Sequence, residues 1–327
     1  MKPDFNVVGI GNAIVDVIAK TDDAFLEKHG LEKGAMRLMT EEEATVLYES
    51  MGPGVEISGG SAANTLAGLA ALGGKAAFIG TVADDHLGKV FTYDIRSQGV
   101  EFTTATVSGR LPTACSYILV TPDAQRTMNT FLGASQALCE VHVDAELIER
   151  SEITYLEGYL WDPAEAKKAF QKAMALAHTA GRRVALTLSD SFCVDRYRAE
   201  FQDLVENHVQ ILFANEAEII SLYEADSFEA AVDRATGSCE IIAITRGEKG
   251  ALILNDGTQH LISPRPTNVV DTTGAGDLFA AGFLYGITQG RSMDDCGKIG
   301  AICASEIISH LGARPESDLR AFVARDL

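Results

Sequence analysis

The stretch VDTTGAGDLFAAGFLYG, residues 270–286, restricts the architectures open to this chain more than any other segment. Val269 and Val270 read as the end of a strand. Asp271, Thr272 and Thr273 follow, and then Gly274, Ala275, Gly276 and Asp277. Beyond them Phe279, Phe283 and Leu284 recur at helical spacing, with Gly282 and Gly286 on a neighbouring face. A glycine-rich turn therefore opens directly into a helix. Such a turn presents backbone N–H groups without helical partners, and the positive end of the helix dipole, to whatever lies above it. Asp277 stands at the rim of that anion site as an acceptor-only carboxylate, and the dipole favours its charged form. A phosphate-sized cradle beside a general base is what phosphoryl transfer to a hydroxyl requires. Taken alone, the segment is equally a helix N-terminus with Asp in its first turn, which is common in proteins of no particular activity.

The 327 residues, 46% of them hydrophobic, suffice for one large α/β domain or a domain with a smaller appendage. A net charge of −19 argues against a nucleic-acid or anionic-membrane surface, since either needs a clustered positive face. It also means that a polyanionic substrate has to be met locally, by backbone N–H groups, a metal ion and a few arginines. The six cysteines, at 115, 139, 193, 239, 296 and 303, form no C-x-x-C pair and no zinc-spaced cluster with histidine. They read as small buried hydrophobes in a reducing compartment. The first residues carry no signal-peptide core, and no uninterrupted run of about 18 apolar residues is present. The expectation is a cytoplasmic protein without nucleic-acid or membrane partners, working as a monomer or homodimer.

Along the chain, Asn6–Ile10 reads as a first strand. Helices are predicted at Thr21–Gly30, at Thr40–Met51 with a capping box from Thr40 to Glu43, at Ser61–Leu72 and at His86–Gln98. Lys75–Gly80 is a further strand and Ala35–Met39 a short one. Cys115–Val120 and Thr127–Phe131 flank the turn residues Thr121, Pro122, Asp123 and Ala124 as a hairpin. Beyond residue 140 strands (153–156, 184–188, 210–214, 241–245) alternate with helices (163–179, 195–206, 216–223, 228–234), and 251–254 adds a strand behind a glycine-rich turn. That alternation predicts a mostly parallel sheet with helices on both faces. The strands near 35–39 and 115–131 are out of step with it and suggest a small β lid.

A second glycine-rich site lies at Ser58-Gly59-Gly60-Ser61-Ala62-Ala63-Asn64, ahead of a small-residue helix. Paired glycines let a ligand approach the backbone, and Asn64 offers both donor and acceptor; alone, the segment reads as a turn and N-cap. Gly9-Ile10-Gly11-Asn12 begins like a dinucleotide-binding G-x-G-x-x-G but lacks the third glycine. Asp16, inside an apolar stretch, either caps locally or accepts from vicinal hydroxyls. No G-x-x-x-x-G-K-[ST] occurs, so the chain is not a P-loop kinase. Asn215 and Glu218 read as an N-cap and its capping box, or as groups acting on the water shell of a magnesium ion. Thr245-Arg246-Gly247-Glu248-Lys249-Gly250 is either a nucleotide-phosphate turn or a plain hairpin loop.

These pieces, in this order, resemble the ribokinase (PfkB) family of carbohydrate and nucleoside kinases. Residues 58–88, SGGSAANTLAGLAALGGKAAFIGTVADDHLG, are similar to its first signature, and VDTTGAGDLFAAGF, residues 270–283, to its second. Within the family the opening Gly-Asn-Ala-Ile-Val-Asp at 11–16, Arg126 after the hairpin turn, and the segments Leu186–Ser189 and Ile211–Glu216 most resemble adenosine kinases. The resemblance implies a three-layer α/β/α core with a mostly parallel sheet and a small β lid. The core would comprise 1–12, 45–110 and 132–327, and the lid 13–44 and 111–131.

Carried over residue by residue, the resemblance implies that Asp277 takes the proton from the acceptor hydroxyl and that Gly274, Ala275 and Gly276 form the anion hole. Arg126 would swing from the lid to the γ-phosphate. Asn12, Asp16, Gly59, Gly60 and Asn64 would hold sugar hydroxyls, with Leu38 and Phe192 against the rest of the substrate. Leu160 stands where an aromatic side chain is expected, next to Tyr159. Asn215, Thr245, Gly247 and Gly250 would line the ATP site, and Glu218 would order Mg²⁺ through water. Many members are activated by K⁺; Asp271 and Thr273 fit the loop that such an ion occupies, although Glu316 stands where a small hydroxyl residue is expected. The implied reaction is ATP-dependent phosphorylation of a nucleoside 5′-hydroxyl, adenosine to AMP, as in purine salvage. The alternatives are a kinase of ribose, fructose or a keto-deoxy sugar acid, and a nucleoside sensor that keeps the fold without the chemistry.

Overall fold

The computed structural model describes residues 3–109, 111–123 and 125–327; Ala124 of the expected hairpin turn lies outside them. In chain order the strands are β1 (Phe5–Ile10), β2 (Ile14–Lys20), β3 (Met36–Leu38), β4 (Gly54–Gly59), β5 (Ala76–Ile79), β6 (Val100–Phe102), β7 (Ala114–Val120), β8 (Arg126–Phe131), β9 (Ser151–Glu157), β10 (Arg183–Thr187), β11 (Ile211–Asn215), β12 (Ile241–Thr245), β13 (Ala251–Asn255) and β14 (Thr258–Ile262). The helices are α1 (Asp23–Lys28), α2 (Glu41–Ser50), α3 (Ser61–Ala71), α4 (His86–Ser97), α5 (Ala145–Glu149), α6 (Ala164–Thr179), α7 (Ser191–Asn207), α8 (Glu216–Leu222), α9 (Phe228–Ala235), α10 (Ala275–Thr288), α11 (Met293–Ile307) and α12 (Leu319–Asp326).

Nine strands form one sheet in the order β14-β13-β12-β11-β10-β9-β1-β5-β6. It is parallel from β12 to β6, and β13 and β14 close one edge antiparallel. The central strands are apolar throughout because both faces are covered. Ile211 and Phe213 of β11 join the core beneath α3, α4, α10, α11 and α12, whereas Leu212 and Ala214 join the core beneath α5 to α9. This is the expected three-layer α/β/α arrangement. From β1 the chain winds one way through β5 and β6, then returns to lay β9 on the other side of β1. The order therefore reverses at β1 and β9, and in sheets of this kind ligands bind beyond the carboxyl ends of the strands at that point.

Five strands form a second, smaller sheet in the order β3-β8-β7-β2-β4. Its β7–β8 hairpin and short β3 match the sequence expectation, while β2 and β4 go beyond it. Residues 54–59, assigned to the core from sequence, pair along their length with β2. Gly-Val-Glu-Ile-Ser-Gly carries no strong strand pattern of its own, and tertiary pairing decides its state. In β2 the alternation buries Val15, Val17 and Ala19. Asp16 is thereby turned to the opposite side of the sheet.

Val269 and Val270, read from sequence as a strand end, belong to no strand. Both are exposed, and the N–H of Val270 donates to the Ile308 carbonyl at 2.8 Å. The turn and helix that follow are as expected: Gly274, at φ 77°, caps α10. This helix packs closely on two neighbours. A Cβ at Gly282 would lie 2.7 Å from the Ile299 carbonyl oxygen of α11, and one at Gly68 of α3 would lie 2.9 Å from the Ala281 methyl of α10. The close α3–α10 contact brings the first turns of the two helices together. Gly282→Val is expected to destabilise the protein by about 1–3 kcal/mol, because the obstructing atom is backbone. Differential scanning calorimetry should register this as a melting temperature lower by several degrees; an unchanged value would contradict the packing argument.

Candidate active site

A cleft of about 970 Å³ opens between the carboxyl ends of the large sheet and the small sheet. Asn12 follows β1, Glu157 ends β9, Thr187 ends β10, Asn215 ends β11 and Thr245 ends β12, and all five line it. The second sheet contributes Asp16, Leu38, Met128 and Thr130, and the two helix N-termini contribute Gly60, Ser61 and Asn64, and Thr273 to Asp277. Most residues singled out from the sequence thus converge on one cavity. Gly59, Arg126, Gly247, Gly250 and Asp271 are not part of its lining.

Asp277 is held by two donors from α3. The Ser61 hydroxyl donates to Oδ1 at 2.6 Å, and the Asn64 side-chain amide donates to Oδ2 at 2.9 Å. Sequence reasoning expected the helix dipole to keep this carboxylate readily ionised. In the structure burial outweighs it and raises the pKa above the ordinary Asp value, against the Ser61 and Asn64 hydrogen bonds and the nearby Arg314 charge. A raised carboxylate pKa makes a better proton acceptor. Beside Asp277, Gly276 leaves open space where a Cβ would stand, so ligand atoms can approach the backbone of the turn.

Glu157 approaches the same α3 N-terminus from the end of β9. Its Oε1 accepts from the Asn12 amide Nδ2 at 2.7 Å and backbone N–H at 3.3 Å, and its Oε2 accepts from the Ala62 N–H at 2.9 Å. Burial nevertheless pushes its carboxyl up to about 7. The Glu157 oxygen on Nδ2 fixes the orientation of the Asn12 amide, leaving its Oδ1 toward the Ser135 hydroxyl at 2.9 Å. Glu157 therefore joins the β1 turn to the α3 N-terminus. Burial likewise pushes Asp16 up to about 6, against the charges of Arg314 and Arg126. Gly59 is needed beside it, because a Cβ there would lie 2.5 Å from the Asp16 Oδ2. Gly60, at φ 97°, passes so close to the Asn12 carbonyl that a Cβ would lie 2.2 Å from its oxygen.

Arg126 forms an ion pair with Asp271, and each side chain is only 7% exposed. Asp271 also accepts from the Gly312 N–H at 3.0 Å, the Thr273 N–H at 3.0 Å and the Thr273 hydroxyl at 2.8 Å. These bonds and the Arg126 charge, working against burial, hold Asp271 below the usual carboxylate range. Both of its oxygens are thus engaged, so with Arg126 in this position the carboxylate does not fit a monovalent cation. Glu218 makes the expected capping box with Asn215, accepting from its N–H at 2.9 Å and its amide at 2.6 Å. Burial pushes Glu218 up to about 7. It faces the cleft with the Asp190 charge near enough to add to that rise, and among the described residues no three His, Cys, Asp or Glu side chains cluster to hold a metal. It fits a water-mediated role toward Mg²⁺, with a nucleotide's phosphates as the principal ligands.

Gly247 and Gly250 belong to the turn after β12, and Gly250 has a structural reason of its own, since a Cβ there would lie 2.0 Å from the Ile262 carbonyl oxygen. Tyr159 lines the cleft, whereas Leu160 is buried in the core beneath α6. The Tyr159 N–H is held by the Ser189 hydroxyl at 3.1 Å, with Ser189 itself at φ 74°. A non-glycine residue in that region is a strained backbone of the sort that collects at functional sites. Apolar side chains crowd the cleft's outer edge: Phe192 is 73% exposed, Leu38 58% and Met36 51%.

Residues 39–319 match the family described as pfkB family carbohydrate kinase. The chain belongs to that family. It is a kinase, and both signatures lie within the matched span. Its structure is similar to that of an adenosine kinase from Sinorhizobium meliloti, with 49% identity, TM-score 0.91, and 98% of this chain and 99% of that one covered. It is equally similar to a probable sugar kinase protein from Rhizobium etli CFN 42, with 50% identity, TM-score 0.92, and coverage of 99% and 98%. An adenosine kinase of Schizophyllum commune is 25% identical over 93% of this chain and 94% of its own length. No helix among the described residues is long and apolar enough to cross a membrane.

Sequence reasoning missed Glu157, Ser61 and Arg314. Glu157 was within reach, because an acid closing a buried parallel strand stands where α/β sites form. Arg314 lies in the loop between α11 and α12 with no local pattern to mark it.

Proposed function

We propose that this pfkB-family kinase transfers the γ-phosphoryl group of ATP to the 5′-hydroxyl of a nucleoside, adenosine first among them. The observation that carries the reading is the polarity of the cleft. Asp16, Asn12 and Asn64 offer hydrogen-bonding groups at its floor, while Met36, Leu38 and Phe192 are left exposed at its mouth. Vicinal hydroxyls suit the first set and a flat apolar base suits the second. The likeness to the Sinorhizobium meliloti adenosine kinase supports the same reading.

In this proposal Asp277 accepts the hydroxyl proton late in a loose transition state, and the amides of 274–276 cradle the transferring group. Asn215, Thr245, Gly247 and Gly250 border the ATP site. Bound Mg²⁺, with Glu218 ordering its waters, supplies neutralisation of phosphate charge. Arg126 leaves Asp271 to meet the γ-phosphate, and Asp271 with Thr273 accepts K⁺ only when that pair opens. The small sheet, carrying Asp16 and Leu38, closes over the substrate and excludes water.

The likeness to the probable sugar kinase protein favours a second reading, a free sugar as acceptor. ATP consumption across adenosine, other nucleosides, ribose, fructose and a keto-deoxy sugar acid separates the two. Turnover on adenosine at least about tenfold above every free sugar is the expected result, and activity confined to a sugar overturns the nucleoside reading.

The pH profile follows from the burial of the cleft's acids, the proposed base Asp277 among them. Burial pushes Asp16 up to about 6, and Glu157 and Glu218 up to about 7. Their charged, accepting forms prevail above pH about 7 and are lost as pH falls through 6. kcat/KM is therefore expected to decline below neutrality, with the midpoint of its acid limb between about pH 6 and 7. A midpoint near 4, the value of ordinary exposed carboxylates, would contradict the reading.

A further inference from the structure

Arg314 has a role that neither signature assigns. It lies between α11 and α12, and its guanidinium reaches back under the α3 N-terminus. One amino group donates to the Asn64 Oδ1, and the other donates to the Ser58 carbonyl at 2.6 Å and the Ser58 hydroxyl at 3.0 Å. Ser58 is fixed from its other side by Asp94 of α4, which accepts from its N–H at 2.9 Å and its hydroxyl at 2.6 Å. With a guanidinium on its oxygen, the Asn64 amide has one orientation: flipped, it would set NH₂ against cation and oxygen against the Asp277 carboxylate. Its Nδ2 is accordingly aimed at the Asp277 Oδ2.

We propose that Arg314 is a positioning residue for phosphoryl transfer, orienting Asn64 so that it holds the base, and supplying the fixed positive charge that Asp277 and Asp16 face across the glycine turn. The inference rests on the reading of Asp277 as base. The ionisable groups around Asp277 and Asp16, which also act on each other, are Arg314 itself, Arg126 of β8, Cys115 of β7, Glu157 and Tyr155 of β9, and Tyr159; Arg314 also faces Asp94. Among them Arg314 is the cation that acts on both acids and opposes the effect of their burial. Its Nε has no hydrogen-bond partner, so the whole hold on the site runs through the two terminal amino groups. A lysine could keep the charge there but could not span Asn64 and Ser58 together.

The test is the pH dependence of kcat for Arg314→Met and Arg314→Lys in the full-length protein, with circular dichroism and the melting curve recorded alongside. Arg314→Met is expected to move the acid limb up by roughly one pH unit or more, so that activity lost at pH 7 is partly regained at pH 9. Arg314→Lys is expected to keep the limb in place but to lower kcat at least about threefold, because the amide is no longer pinned. An unmoved limb in a folded Met variant overturns the electrostatic role, and undiminished kcat in the Lys variant overturns the orienting role. Should the Met variant fail to fold, a limb displaced in the Lys variant would equally contradict the proposal. Asp277→Asn, assayed in parallel, separates the two layers: if it stays active the base assignment fails, and if it is inactive while the Arg314 profiles match wild type only the present inference fails.

Discussion

Asp277→Asn is expected to lower kcat by about 10²–10⁴-fold while leaving the dissociation constants of nucleoside and ATP analogue within a few-fold of wild type. The substitution removes the proton acceptor and little else. The new amide oxygen can accept from Asn64, and its NH₂ can donate to the Ser61 hydroxyl, so the two contacts made by the carboxylate have neutral counterparts. The amides of 274–276 are untouched, and much of the electrostatic hold on a phosphoryl group stays in place. Stability should move the other way. Because burial raises the pKa of Asp277, its ionised form costs folding free energy at neutral pH, and that cost disappears as pH falls and the group protonates. The neutral variant should therefore melt at the same temperature as wild type or higher at pH 7.5, the pattern of a site where function is kept at the expense of stability. Single-turnover kinetics with isothermal titration of both ligands would decide the matter. Near-wild-type turnover removes Asp277 from the chemistry, and inactivity accompanied by lost binding or a collapsed melting transition would mean that it is structural.

What the sequence disclosed and what it hid follow one physical division. Local pattern announced β1, β5 and β9 to β12, and it located α3, α6 and α10, because each carries its own signal: short apolar runs for strands covered on both faces, an apolar stripe for α6, and small-residue helices behind glycine-rich turns for α3 and α10. β4 takes its ladder hydrogen bonds from β2 alone, and β2 lies between β4 and β7, so neither Ile-Val-Asp-Val-Ile nor Gly-Val-Glu-Ile-Ser-Gly declared its state without its partners. Val269 and Val270 look apolar enough for a strand, yet among the described residues they join none: Val270 donates to the Ile308 carbonyl, and both side chains remain exposed. The cleft shows the same division. Asn12, Asn64 and Asp277 sit in short motifs whose glycines signal a close backbone approach. Arg314 joins them from about 250 residues away in the chain by filling an acceptor on Asn64, and nothing in Gly312-Ala313-Arg314-Pro315 reports that contact. Glu157 falls between the extremes: its position at a strand end is visible, and its three donors are not.

Arg126→Ala is expected to reduce kcat by about 10² or more while nucleoside affinity changes only a few-fold. An arginine brought to a transferring phosphoryl group is worth about 10³–10⁵ in kinases and GTPases. Here part of that gain is offset by the Asp271 ion pair, which has to open first. The same pair makes the variant ambiguous by itself, since removing one partner of a buried pair destabilises the fold by about 3–5 kcal/mol whatever the residue does in catalysis. Asp271→Asn resolves the ambiguity. It breaks the pair from the other side and can keep an acceptor for the Thr273 N–H and hydroxyl, while Arg126 remains in place and is released toward the cleft. Both variants should melt below wild type, yet Asp271→Asn should retain far more turnover at saturating KCl. Equal kcat losses in the two, with Asp271→Asn still activated by KCl as wild type is, would show that Arg126 acts only by bracing Asp271 and the loop at Gly312, and the phosphate role would have to be given up. A loss confined to nucleoside KM in Arg126→Ala would reassign the residue to the substrate end of the cleft.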